Sequence, residues 1–315
     1  MPAPHPHRGR AGNAAASTNA VRITHRQRIV DESTGITKIE LVEYYQQVAG
    51  LMLEHLKGRP VSLVRAPAGL AGEIFFQKHM GTPPIPGVRS LPQQLDKEHP
   101  PLMEIATARG LAGAAQMGAI EFHTWNARRD RIGRPDRMVF DLDPGEGVAW
   151  SAVPQAALAV RAFLGELGLA CFAKTSGGKG LHVVVPLQRR YGWDTVKDFS
   201  HAIVQRMADD APRRFSAHSG PDKRVGRIYI DYLRNGFGAT TVAAWSVRAR
   251  PGMGVSVPLS WDEVEKLESP TQWHLRNIGE RLRCGNAPWK QYGASAQALA
   301  QAMKKLGFAA AGCKP

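Results

Sequence analysis

The sequence predicts an α/β protein of the α+β type, with mixed, largely antiparallel sheets flanked by helices. Two observations carry this. Short apolar segments with period-two patterning alternate with longer segments of three- and four-residue apolar spacing. The turn joining the segments 170–175 and 181–186 is also too short for a parallel crossover, so those two strands must form an antiparallel hairpin. A doubly wound parallel sheet is thereby excluded.

Along the chain, residues 1–20 are rich in Ala, Pro, Gly and polar residues without apolar periodicity, and read as a disordered tail. Ile39, Val42, Tyr45, Val48, Ala49, Met52, Leu53 and Leu56 recur at helical spacing and predict one helix over 37–56. A strand follows at 60–66. Residues 81–101 are Pro-rich and predicted to be irregular, and a loop that long inside a compact domain is usually functional or mobile. Strands are predicted at 119–125 and 137–142, then a helix at 151–167 on Val153, Ala157, Val160 and Leu164. After the hairpin come a helix at 194–211, a strand at 227–232 and an extended stretch at 240–247. Segments 261–267 and 295–306 read as closing helices, and 309–315 as a second frayed end. No internal repeat is visible. The division expected is an N-terminal module over 21–117 and a core over 118–308.

The bulk composition of the 315 residues is that of an ordinary globular chain, but Lys+Arg 41 against Asp+Glu 27 leaves a net charge of +14. Such an excess favours a polyanionic partner, with nucleic acid first among candidates. No apolar run approaches the roughly 20 residues that span a bilayer, and the N-terminus carries no secretory pattern. Cys171, Cys284 and Cys313 are too dispersed for a disulfide framework or a Cys-rich zinc site. A cytoplasmic location without membrane contact is expected.

The chemistry concentrates in three segments. In an extended strand Asp141 and Asp143 project to one face while Phe140 and Leu142 face the other. Two carboxylates so close raise each other's pKa unless a cation sits between them. A bare strand end would leave both simply solvated, but an apolar approach ending in Asp-x-Asp suits metal ligation better. The loop Ser176-Gly177-Gly178-Lys179-Gly180-Leu181-His182 has glycines that let backbone N–H groups approach an anion, with a lysine, a hydroxyl and an imidazole beside them. Its spacing differs from the phosphate loop of nucleoside triphosphatases, and a plain hairpin turn accounts for it equally well in isolation. Asp231 ends the apolar strand 227–231. Alone it reads as a partner for a nearby arginine, and together with the pair it becomes a third metal ligand. Two divalent cations roughly 3.5–4 Å apart would clamp the attacking and leaving oxygens of a phosphoryl transfer. Phe75 and Phe76, next to Lys78 and His79, suit base stacking beside phosphate contacts, or plain burial.

With VFDLDPGEG, KTSGGKGLHVVVPL, RIYIDYLRN and SVRARPG in this order, the chain resembles the polymerase domain of bacterial DNA ligase D. That family belongs to the archaeo-eukaryotic primase superfamily and acts in non-homologous end joining. The likeness runs from about Ile23 to the last helix. It implies a polymerase that fills gaps and extends 3′ ends at double-strand breaks, prefers ribonucleotides, and uses two divalent cations. Mn2+ is the favoured ion, with Mg2+ or Co2+ as substitutes. By the resemblance Asp141, Asp143 and Asp231 are the catalytic metal ligands. Ser176, Lys179, His182, Arg248 and Arg224 contact the incoming NTP or dNTP, and His123 lies at its sugar. Arg28 and Lys38 fall on the pocket for a recessed 5′-phosphate, and Phe75 and Phe76 on the template-stacking pair. The 81–101 segment matches a mobile loop that brings two ends together. Implied partners are DNA ends, gapped duplex, Ku and an attached or associated ligase domain, in a nucleoid-associated setting. Arg28 stands where some relatives have Lys, which keeps the charge, and Arg234 stands where others have a neutral amide. The zinc-binding cysteines of cellular primases have no counterpart. A stand-alone primase and a non-catalytic DNA-end-binding module are the alternatives.

Overall fold

The computed structural model describes residues 21–309. The expected tail at 1–20 lies outside them, as does 309–315 apart from Ala309. The chain starts with a two-stranded hairpin, β1 (Ile29–Asp31) and β2 (Ile36–Thr37), which leads into α1 (Lys38–Gln47) and α2 (Ala49–Leu56). The Glu40 carboxylate accepts bonds from the Thr37 amide and hydroxyl and starts α1. The single helix expected over 37–56 is two, because Val48 leaves helical geometry (ψ 0°) and Gly50 follows it.

Next come β3 (Val61–Arg65), β4 (Phe75–Gln77), β5 (Arg89–Ser90), β6 (Met103–Glu104), α3 (Ala108–Gln116) and β7 (Ala119–Trp125). Sequence reading did not include α3, whose nine residues hold Ala, Gly and a single large apolar side chain, Leu111. Those glycines have a packing reason: a Cβ at Gly113 would stand 1.9 Å from the Pro86 carbonyl oxygen. The Pro-rich 81–101 segment is thus laid against α3, and it carries β5, a short 3-10 turn and the buried Ile85 and Leu91.

The remaining elements are β8 (Arg137–Pro144), α4 (Ala152–Glu166), β9 (Phe172–Thr175), β10 (Leu181–Pro186), α5 (Trp193–Asp210), β11 (Phe215–Ser216) and β12 (Ile228–Asp231). After them come β13 (Thr240–Val242), β14 (Pro258–Leu259), α6 (Trp261–Glu265), α7 (Gly279–Cys284) and α8 (Ala300–Leu306). The extended stretch expected at 240–247 stops at Val242, and Trp245 turns with φ 69°. The last helix starts at 300 rather than 295. Residues before it are used otherwise: the Gln297 side chain bonds the Ala170 amide and carbonyl.

Two six-stranded sheets result. One has the order β13-β7-β3-β6-β5, with β4 also paired to β3. The other has the order β11-β12-β8-β10-β9-β14. Every named pairing is antiparallel except β11 with β12. The division expected at 117/118 runs through the first sheet, where β3 pairs β7 from Val61–Thr124 to Arg65–Ala119. Side chains from both sides of that division share one buried core, including Leu63, Phe122 and Phe140. In β8, Met138, Phe140 and Leu142 supply its core face, which α4 and α5 cover.

Candidate active site

Strand register builds the site. Across the second sheet, Asp231 on β12 pairs with Asp141 on β8, Asp141 with His182 on β10, and His182 with Lys174 on β9. Cross-strand partners share a face, so these pairings form one polar row over four strands. Asp143, two residues beyond Asp141, joins the same face opposite Tyr229. All four members of the row are buried.

The electrostatics follow from that crowding. Burial, then the charges of Asp141 and Asp231, push the Asp143 carboxyl up to about 7. Burial works the same way on Asp141, but His182, Arg234 and Lys174 outweigh it and hold this carboxyl below the usual range. Asp231 is raised by burial, against the pull of Arg234. Burial takes His182 down to about 4 and drives Lys174 well below its ordinary value, so His182 is neutral at pH 7. His182 Nε2 lies 3.2 Å from Asp141 Oδ1, and His182 Nδ1 is buried without a hydrogen-bond partner.

Arg234 is the chain's own cation here. Its Nε stands 3.0 Å from Asp231 Oδ2 and 3.5 Å from Asp141 Oδ2. The local cause is Asn235, whose amide makes 2.8 Å bonds to both the N–H and the C=O of Val139 and clips residues 233–235 onto β8. Asp231 also accepts bonds from the Leu233 amide (2.8 Å) and the Tyr229 hydroxyl (3.2 Å). The three acids therefore face one another around a guanidinium without closing into a tight donor cage. Their chemistry still suits divalent ions: buried carboxylates on one face, and one carboxyl raised by burial and by its two acidic neighbours.

The glycine hairpin lies beside the acids. A Cβ on Gly180 would come 2.0 Å from the Leu142 carbonyl oxygen, and one on Gly177 (φ +70°) 2.8 Å from the Ser256 amide. Only glycine lets the turn pack this closely. Ser176 Oγ accepts bonds from the amides of Gly178 (3.2 Å) and Gly180 (3.1 Å). Those N–H groups were expected to face an anion; here the serine organises the loop instead, and exposed Lys179 is its outward charge.

Arg248 joins the two sheets. Its Nη1 donates to the Ser176 carbonyl (2.9 Å), and its Nε stands 3.0 Å from Glu121 Oε1 on β7. The other Glu121 oxygen is 2.7 Å from His123 Nε2. Burial would raise Glu121, but His123 and Arg248 bring it down to about 2. His123 in turn meets the edge of Phe76, ring centroids 5.6 Å apart. Arg224 lies over the Tyr229 ring at 5.9 Å, on the Asp143 side. Sequence reading missed Glu121, Lys174, Tyr229 and Asn235. Alternation within 119–125 could have placed Glu121 with His123, but the other three depend on pairing.

The DNA-contact candidates occupy the first sheet and the hairpin before it. Phe75 and Phe76 on β4 are both exposed, so the burial alternative fails, and Arg65 lies over the Phe75 ring at 5.2 Å. Arg28 and Lys38 line one small cavity with Pro67, Gly69 and Gly118. Arg28 is exposed and bonds the Pro67 carbonyl (2.6 Å); Lys38 is buried, and burial plus the Arg28 charge lower its pKa.

Known proteins bear on this arrangement. Residues 37–289 match the family described as LigD, primase-polymerase domain. The chain is 51% identical over 297 residues to the multifunctional non-homologous end joining protein LigD of Pseudomonas aeruginosa, covering 94% of this chain and 35% of that one. It is 34% identical to the corresponding protein of Mycolicibacterium smegmatis, covering 81% and 34%. It thus spans about a third of the length of these curated relatives. Among solved structures, the polymerase domain from Mycobacterium tuberculosis ligase D in complex with DNA superposes with a TM-score of 0.75. That match is at 30% identity and covers 84% of this chain and 95% of that one. No described helix is long and apolar enough to cross a membrane.

Proposed function

Because the chain belongs to the LigD primase-polymerase family, we propose that it is a template-directed nucleotidyltransferase. It fills gaps and extends 3′ ends at double-strand breaks and prefers ribonucleotides. The observation that carries this is the polar row Asp231–Asp141–His182, with Asp143 on the same face, beside a glycine hairpin tied to Arg248.

Asp141, Asp143 and Asp231 would hold two divalent cations, Mn2+ in preference. Ions held there would supply charge neutralisation and Lewis acidity for phosphoryl transfer. The chain's own groups do the positioning. Lys179 and Arg248 draw the triphosphate to the hairpin, with Arg224 flanking it. His182 would donate to a phosphate oxygen through its unpartnered Nδ1 in the tautomer that carries the proton there. Glu121 fixes His123, and with it the ring set against Phe76, where the sugar and template base meet. Asp231, steered by Tyr229, faces the primer 3′ hydroxyl. Arg234, whose Nε stands 3.0 Å from Asp231 Oδ2, would compete with cations for these acids, a charge that a neutral amide at this position would not bring. Catalysis comes from orientation and charge neutralisation. In the whole protein this domain works with a ligase domain and Ku at nucleoid DNA, where the Arg28/Lys38 cavity takes the 5′-phosphate across the gap.

Primer extension on a gapped, 5′-phosphorylated duplex tests the proposal. Incorporation should require Mn2+ or Mg2+, cease with chelator, and run faster with ribonucleotides. Tight DNA binding without any templated incorporation would leave only an end-binding module.

A further inference from the structure

Among the described residues, one trio of His, Cys, Asp or Glu has donor atoms all within 4.8 Å of one another, and it is not the catalytic acids but His79, Asp96 and His99. His79 Nε2 lies 3.0 Å from Asp96 Oδ2, and His99 Nδ1 lies 2.8 Å from Asp96 Oδ1. The two imidazoles are nearly parallel, 10° between planes and 5.0 Å between centroids, with a nitrogen of each aimed at the same carboxylate. Backbone pairing sets the base of this arrangement: His79 bridges Leu102, and the Met80 amide donates to the Pro101 carbonyl. Gln93 holds the other side by bonding the carbonyls of Asp96 and His99. A cavity of about 530 Å3, lined also by Lys78, Leu102 and Trp125, opens onto the trio and leaves space for water.

We propose that His79, Asp96 and His99 form a second cation site, separate from the catalytic acids, that binds a borderline divalent transition ion such as Zn2+. Two imidazoles and one carboxylate are the donor set such ions prefer, with solvent in the remaining position. Binding needs a ring-nitrogen lone pair of each imidazole turned to the ion, in the tautomer that carries its proton on the other nitrogen. The ion staples residues 96–99 to the strand end at 79 and closes the Pro-rich segment across its base. Its role is to stiffen that segment, not to take part in phosphoryl transfer.

The test uses the full chain carrying Asp141→Asn and Asp143→Asn, so that the catalytic face does not compete. Dialysis against Zn2+, then metal analysis and calorimetry, should give one equivalent. His79→Ala, His99→Ala and the near-isosteric Asp96→Asn should each weaken binding by at least about tenfold. Zn2+ should also slow tryptic cleavage after Arg89 and Lys97 in the otherwise native chain, and lose that effect with Asp96→Asn. Unchanged near-ultraviolet circular dichroism of the metal-free Asp96→Asn protein separates loss of a ligand from loss of fold. Failure to retain Zn2+, or retention unaffected by all three substitutions, overturns the site.

Discussion

The acid row of the second sheet and the aromatic edge of the first are held by opposite means. Asp141, His182 and Asp231 are buried and locked by register to three neighbouring strands, and nothing can shift one without shifting the others. Phe75 and Phe76 sit exposed on a three-residue strand that pairs β3 alone, and Arg28 is exposed ahead of a two-stranded hairpin. The first arrangement concentrates like charge in a dry place and is costly to fold; the second costs the fold little. Chemistry that needs atoms fixed within fractions of an ångström is placed where the sheet dictates position. The contacts proposed for a flexible polyanion fall where side chains can adjust.

That contrast can be broken experimentally. The largest effect belongs to Asp141→Asn with Asp143→Asn: extension should fall on the order of a thousandfold or more, while DNA-end affinity stays within about twofold. The double variant should melt within a few degrees of the parent, because losing the raised Asp143 carboxyl relieves the fold while losing Asp141 removes a partner of Arg234. A large drop in melting temperature would mean that the acids are structural.

Gly180→Ala comes next. The added Cβ meets the Leu142 carbonyl at 2.0 Å, and overpacking of this kind costs up to about 3 kcal/mol in urea unfolding. Gly178→Ala, whose Cβ would come no nearer than 3.4 Å to Arg248 Nη1, should cost less than about 1 kcal/mol. Equal costs would mean the hairpin is not packed as described.

Arg28→Ala with Lys38→Ala should remove about a tenfold preference for 5′-phosphorylated over unphosphorylated gaps, as expected for lost charged contacts, measured by fluorescence anisotropy. An equal loss on both substrates would make these residues general phosphate contacts. The smallest effect is expected from Phe76→Ala. Loss of one stacking ring should weaken template-strand binding by about 1 kcal/mol and leave the melting temperature unchanged, since Phe76 is 44% exposed. A clear drop in stability would show that its contact with His123 matters more to the fold than to DNA.

Much of this was readable from residue order. Asp141 and Asp143 were placed on one face by alternation alone, the 176–180 turn demanded an antiparallel hairpin, and the order of the acidic and glycine segments pointed to the family. The Asp231 alternative, an arginine partner, is also present: Arg234 Nε stands 3.0 Å from its carboxylate. What could not be read is what depends on pairing. Alternation is a local property of one strand, but nothing local specifies that residues 231, 141, 182 and 174 form one row, or that β3 inserts between β7 and β6. Nor does local pattern show that Gly178 and Gly180 donate to Ser176 rather than to a ligand, that Glu121 links Arg248 to His123, or that the glycines of α3 pack against Pro86 and Gly87. Register across strands distant in the chain is decided by the core faces they bury together, and only the assembled sheets settle it.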